Sequence, residues 1–173
     1  MGSNPTLSAI HPFLPSLGII FRPTRAWLAL RAARPGWAAS LFVQVLPFAL
    51  LWLLAWPSVS TVLLVLAVVA VLALGFFILA PWFDARRSWD GSMAVAAYAS
   101  TPVLATWLLL VYPPLMVLPV AALLHAFALS CLGVQHVLYC RSSEAELFVA
   151  GTWIFSAVAT LALGGLCSAA GCF

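Results

Sequence analysis

The sequence predicts an all-α integral membrane protein: a polytopic bundle of five transmembrane helices, amino terminus cytoplasmic and carboxyl terminus outside. Three observations carry this. Of 173 residues 65% are hydrophobic and 6% charged, with mean hydropathy +1.16, whereas about a quarter of the residues in a soluble domain are charged. The apolar residues fall into runs long enough to cross a hydrocarbon core of about 30 Å. All seven positive charges are arginines, and all can be placed on one side of a membrane. Arg22, Arg25, Arg31 and Arg34 precede the first run, Arg86 and Arg87 follow the second, and Arg141 follows the fourth. Cytoplasmic loops carry the excess of basic residues, so these positions set the orientation together with the number of crossings.

Residues 1–36 read as a cytoplasmic leader punctuated by Pro5, Pro12, Pro15, Pro23 and Pro35. A short helix is predicted from Pro23 to Arg34, with proline in its first turn and Pro35-Gly36 stopping it. Its arginines do not gather on one face, so the reading is an interfacial segment held by Trp27 and Trp37. A cleaved signal peptide is not expected, because residues 1–21 lack a positive n-region and Pro12 and Pro15 interrupt the apolar stretch.

Residues 37–173 form the predicted membrane domain, with spans at about 37–56, 58–80, 93–112, 115–139 and 147–167. Pro47 should kink the first and free a carbonyl near Val43, beside Gln44. The second is aliphatic on all sides and reads as a lipid-facing helix. Trp56-Pro57-Ser58 and Tyr112-Pro113-Pro114 make the outer turns, which carry no formal charge. Pro102 breaks the third span. Trp52, Trp56 and Tyr112 fall at the outer ends and Trp37, Trp82, Trp89 and Tyr139 at the inner ends, as interfacial aromatic belts do. Absent lysine and abundant Ala, Leu, Trp and Arg point to a GC-rich bacterial genome and hence to the cell inner membrane. The net charge of +3 is explained by topology, and no nucleic-acid partner is expected.

Candidate sites follow from polar and small residues in these runs. Tyr98 and Pro102 lie four apart on the third span beside Ser92, Ala96 and Ser100, a small-xxx-small series that lets helices approach closely. This is either a packing kink or a broken-helix binding site. On the fifth span Thr152, Ser156, Thr160, Gly164 and Ser168 recur every fourth residue, a packing seam or a polar pore lining. His125, an ionisable group in mid-span, is a functional hypothesis by default, with Gln44, Tyr98 and Pro102 as companions in an intramembrane polar site. His136 and Cys140 are too few ligands for a closed metal site, and no metal or cofactor is expected. Cys167 and Cys172 would face an oxidising periplasm and could form a disulfide. Asp84, Asp90, Glu144 and Glu146 fall in the inner loops among the arginines, with Arg141 near Glu144.

From Phe21 onward the order of features resembles the Yip family, the Ypt/Rab-interacting-protein "Yip one" domain. The residues are Phe21-Arg-Pro-Thr-Arg-Ala-Trp27, Asp90-Gly-Ser-Met-Ala-Val-Ala-Ala-Tyr-Ala-Ser-Thr-Pro102, and Ala-Phe-Ala-Leu-Ser-Cys-Leu-Gly133. Asp90-Gly91 stands where the family has paired glycines, and a short leader replaces the long amino-terminal region of eukaryotic members. The resemblance is to the small bacterial inner-membrane members, so Rab binding is not carried over. It implies five spans and a role in association. No nucleophile–base pair or phosphate loop appears, so no enzyme is expected. The expected role is a non-catalytic scaffold, adaptor or accessory subunit. Its partners would be the lipid bilayer and either further copies of itself or another membrane protein. The alternative is a small-molecule or ion transporter or channel using helices broken at Pro47 and Pro102.

Overall fold

The computed structural model describes residues 19, 21–55, 59–107 and 117–169, with backbone alone at 54–55, 59–61, 107 and 163–169. Both predicted outer turns, the end of the third span and Cys172 lie outside the described residues; Gly164, Cys167 and Ser168 are described by backbone only. Among the described residues every regular element is helical. Three helices are long and apolar enough to cross a membrane: Val62–Phe83, Val117–Val137 and Ala145–Ala162. The run Trp37–Leu53 is a shorter apolar helix.

Helix α1 (Pro23–Ala33) starts on proline, whose missing N–H costs nothing at that position, and ends at Arg34 in a left-handed conformation, where its N–H reaches the Leu30 carbonyl. Trp27, read from sequence as an interfacial anchor, is instead completely buried. Its indole fits over Gly133, where a Cβ would stand 2.9 Å from the ring, and its edge meets Tyr98 at 6.5 Å between centroids. The amino-terminal helix is thus part of the core, because the glycine leaves room for the largest side chain.

The first predicted span comprises α2 (Trp37–Ser40), a π-helical turn (Leu41–Val45) and α3 (Leu46–Ala55). The expected kink at Pro47 takes the form of this π turn just ahead of it, in which the Leu46 N–H reaches back to Leu41. A wider turn absorbs the register fault that a missing proline N–H creates. At the start of the run the Asp90 carboxylate accepts the Trp37 backbone N–H at 2.8 Å, supplying an acceptor for an unfilled helix start.

Helix α4 (Val59–Leu79) runs into a 3-10 turn (Ala80–Phe83). Read from sequence as lipid-facing on all sides, α4 is exposed on one side only. Leu63, Leu64, Leu74 and Ile78 are exposed, but Val65, Val69, Ala73 and Phe76 are buried at helical spacing. Gly75 carries the closest approach: a Cβ there would stand 2.9 Å from Thr152. Phe76 packs edge-on against Phe148.

Helices α5 (Trp89–Ala99) and α6 (Thr101–Trp107) cover the described part of the third predicted span, with Ser88 capping the start through a bond from the Gly91 N–H. Every residue from Ser92 to Ala99 is buried, so α5 is the central strut. Helix α7 (Val117–Val137) buries Ala122, Ala126, Leu129, Ser130, Gly133 and Val134 along one stripe. It ends at left-handed Tyr139, with the Cys140 N–H reaching back to the Val134 carbonyl. The reversal is made without the glycine that usually supplies a left-handed residue at a helix end, at a cost of about 1–2 kcal/mol. Helix α8 (Ala145–Ala169) follows.

Side-chain contacts give the directions. Trp37 meets Asp90, Gln44 meets Thr101 and Trp52 meets Leu104, so the run 37–55 lies parallel to the run 89–107. Gly91 abuts Leu138 while Gly133 abuts Val95, so α7 is antiparallel to α5; Gly75 faces Thr152 and Ser156 while Leu79 faces Gly151, so α8 is antiparallel to α4.

Candidate functional site

Two of the interior polar groups, Gln44 and Thr101, meet where two helix breaks lie side by side. Gln44, in the π turn, is buried and donates through Nε2 to Thr101 Oγ1. Thr101 follows the break at Ser100 and precedes buried Pro102. The carbonyls at this break are met by hydroxyls, since Ser100 donates to Ala96 O at 2.6 Å and Thr101 to Ala97 O at 3.5 Å. One turn outward, Trp52 Nε1 donates to the Leu104 carbonyl at 3.3 Å. Trp52, placed by the sequence at the outer end of the first predicted span, is buried against protein. A polar group in an apolar interior needs a partner, and these supply one another across the parallel pair.

Of the four residues read as one intramembrane site, Gln44 and Pro102 are brought together through Thr101. Tyr98 is buried but packs on Trp27, not on Gln44 or Thr101. His125 is half-buried on α7, and its Nε2 has no hydrogen-bond partner among the described residues. A cavity of about 290 Å³ lies among α4, α5, α6, α7 and α8, lined by residues such as Leu72, Val103, Leu104, Leu123 and Trp153. Gln44, Tyr98 and His125 are not among its walls. Its hydroxyls are those of Ser100, Ser130 and Ser156, and each donates to a carbonyl four residues back in its own helix. The mouth passes exposed Leu64, Val68 and Leu123, so the cavity opens sideways through apolar side chains.

The predicted small-residue series sit at helix contacts where they are described. Ser92 and Ala96 are fully buried and Ser100 half-buried. Thr152 and Ser156 are buried, Thr160 half-buried, and their hydroxyls donate in turn to Phe148, Thr152 and Ser156 carbonyls at 2.7–2.9 Å. The seam's partner is Gly75, which sequence reading passed over. A single glycine in an aliphatic helix was the available signal, since glycine in an apolar span marks close backbone approach. Gly133, the seat of Trp27, was quoted only as part of a motif.

At the opposite end from Trp52 the charged loops meet. Arg141 pairs with Asp84 of the other loop at 3.8 Å, both largely exposed, and its carbonyl accepts the Glu144 N–H at 3.1 Å, so it lies near Glu144 as the sequence placed it while also joining the two loops. The Arg86 N–H donates to the Leu138 carbonyl at 2.6 Å, and the Arg87 guanidinium lies 4.4 Å from the Phe77 ring. His136 Nε2 has no partner, and among the described residues no three His, Cys, Asp or Glu side chains gather as metal ligands would. Cys131 and Cys140 are free thiols. Burial and, less, the nearby Glu144 charge push the Cys140 thiol up. Comparison with family models, curated proteins and solved structures finds no match for this chain.

Proposed function

We propose that the chain is a five-span protein of the Yip type in the bacterial inner membrane, arginine-bearing end in the cytoplasm and carboxyl terminus outside. Its role in this reading is that of a non-catalytic scaffold, adaptor or accessory subunit that associates through its helices with copies of itself or with another membrane protein. The observation that supports it is how the polar groups beside the two helix breaks are engaged. Gln44, Thr101 and Trp52 bond between helices, and the cavity has an apolar lining that leaves out Gln44, Tyr98 and His125. A solute path needs polar groups presented to water; these hold helices together.

A transporter is the second reading. The observation favouring it is that the π turn at Leu41–Val45 and the break at Ser100 meet through Gln44 and Thr101, and discontinuous helices that converge are how many transporters build their sites. Purification in mild detergent, with mass determination and identification of co-purifying proteins, decides between them. A scaffold should run as a defined oligomer or with a stoichiometric membrane partner, and proteoliposomes should show no solute flux. A lone monomer giving flux that Gln44→Leu abolishes would replace the first reading with the second.

A further inference from the structure

The arginines are not spread evenly over their end of the bundle. Arg31 of α1, Arg34 at its cap and Arg86 in the loop before α5 converge on one pocket of about 100 Å³, whose other walls include Gly91, Ala94 and Val137. Tyr139 closes a further side, with the Arg31 guanidinium 4.4 Å from the centre of its ring. Asp90 is the one carboxylate at the pocket, and its Oδ1 is engaged by the Trp37 N–H. Among the described residues the single ion pair uses Arg141 and Asp84, so none of the three guanidiniums is paired with an acid. The residues that line this pocket carry three positive charges against one negative. Two of its walls, Arg34 (φ 44°) and Tyr139 (φ 59°), are non-glycine residues in left-handed backbone, a conformation that persists only where the surroundings over-determine it.

We propose that this pocket binds the phosphate of an anionic membrane-lipid headgroup. Guanidinium forks match phosphate oxygens two at a time and are weakly hydrated, and basic pockets between helices at the cytoplasmic surface recognise anionic headgroups. A lipid is the source rather than a free phosphate because the pocket lies where the buried lengths of α5 and α7 end. Exposed Leu28 and Trp37 stand on the adjoining helices, giving acyl chains an apolar surface to follow. The proposal rests on the membrane reading above.

The test uses the full chain in mild detergent, titrated with short-chain phosphatidylglycerol or phosphatidylcholine and read by native mass spectrometry. Phosphatidylglycerol should bind at least about ten-fold more tightly, each arginine contributing a factor of about five. The triple substitution R31Q/R34Q/R86Q should abolish the preference, while R22Q/R25Q/R141Q, which removes the same charge, should keep it. If the first triple does not purify as a single species, R86Q alone should lower the preference at least about three-fold. Equal binding of the two lipids, or equal loss in both triples, overturns the site. Competition by glycerol phosphate at the concentration of the lipid overturns the lipid source. A chain that fractionates with membranes and shows the expected labelling topology, yet binds both lipids alike, sinks this proposal without touching the membrane reading.

Discussion

Adding one methyl group at Gly133 tests how the amino-terminal helix is seated. The new Cβ would stand 2.9 Å from the Trp27 ring and 3.1 Å from Val95, closer than packed carbon atoms tolerate, and overpacking of this kind costs about 1–3 kcal/mol. Gly133→Ala should lower the thermal midpoint in detergent, and the loss should shrink when Trp27→Leu makes room, giving a coupling in a double-mutant cycle. Additive losses would mean that the indole does not sit on the glycine. The Cys140 thiol gives a second residue-scale prediction. Burial, then Glu144, raises it above the usual thiol range, so at neutral pH the reactive thiolate is scarcer than in an ordinary cysteine. Alkylation of Cys140, with the other three cysteines replaced, should be slower than that of an exposed thiol and should climb over a more alkaline range. Glu144→Gln removes the lesser cause, so it should shift that profile to lower pH without making it ordinary. A profile at or below that of a free cysteine would contradict the described burial.

At the scale of the element, the parallel pair formed by the run 37–55 and the run 89–107 is joined near its middle by the bond between Gln44 and Thr101. Thr101→Val keeps the shape and removes the acceptor. Interhelical bonds in membranes average about 0.6 kcal/mol and reach about 1.7, so the substitution should destabilise by that amount in a denaturant titration. The double variant with Gln44→Leu should cost less than the two singles summed; strict additivity would show the bond to be idle. Much of this element's architecture was legible in the chain. The apolar runs, the helix 23–33 between Pro23 and Pro35-Gly36, and the break before Pro102 all follow from proline geometry and hydropathy. What could not be read was which face of a helix meets protein. On α4 the buried Val65, Val69 and Ala73 are chemically the same kind of residue as exposed Leu64 and Val68, and in lipid no polarity difference separates the two sides. The form taken by the Pro47 disturbance was hidden for a related reason: a kink and a π turn answer the same missing N–H, and neighbours choose between them.

For the whole molecule, the alternation of helix directions and the gathering of charge bear on orientation. The contacts running from Trp37–Asp90 to Trp52–Leu104 place these two stretches parallel, as first and third crossings of a five-span chain would be. In a chain freed of native cysteines, single cysteines at positions 25, 86 and 141 should be labelled by a membrane-impermeant reagent from one side and a cysteine at 57 from the other. Position 86 or 141 appearing opposite 25 would overturn the five-span topology. The candidate site was less legible than the fold, because His125 and Tyr98 were grouped with Gln44 by residue type alone, and only packing reveals that Tyr98 serves the Trp27 contact. That same contact has a consequence for biogenesis. Trp27 leaves the ribosome before its seat at Gly133, which is made more than a hundred residues later. Until α7 has been synthesised the indole has nowhere to lodge, so α1 docks only after helices that follow it in the chain. Nascent chains arrested before Gly133 should therefore leave α1 open to protease, and chains arrested well beyond it should protect it.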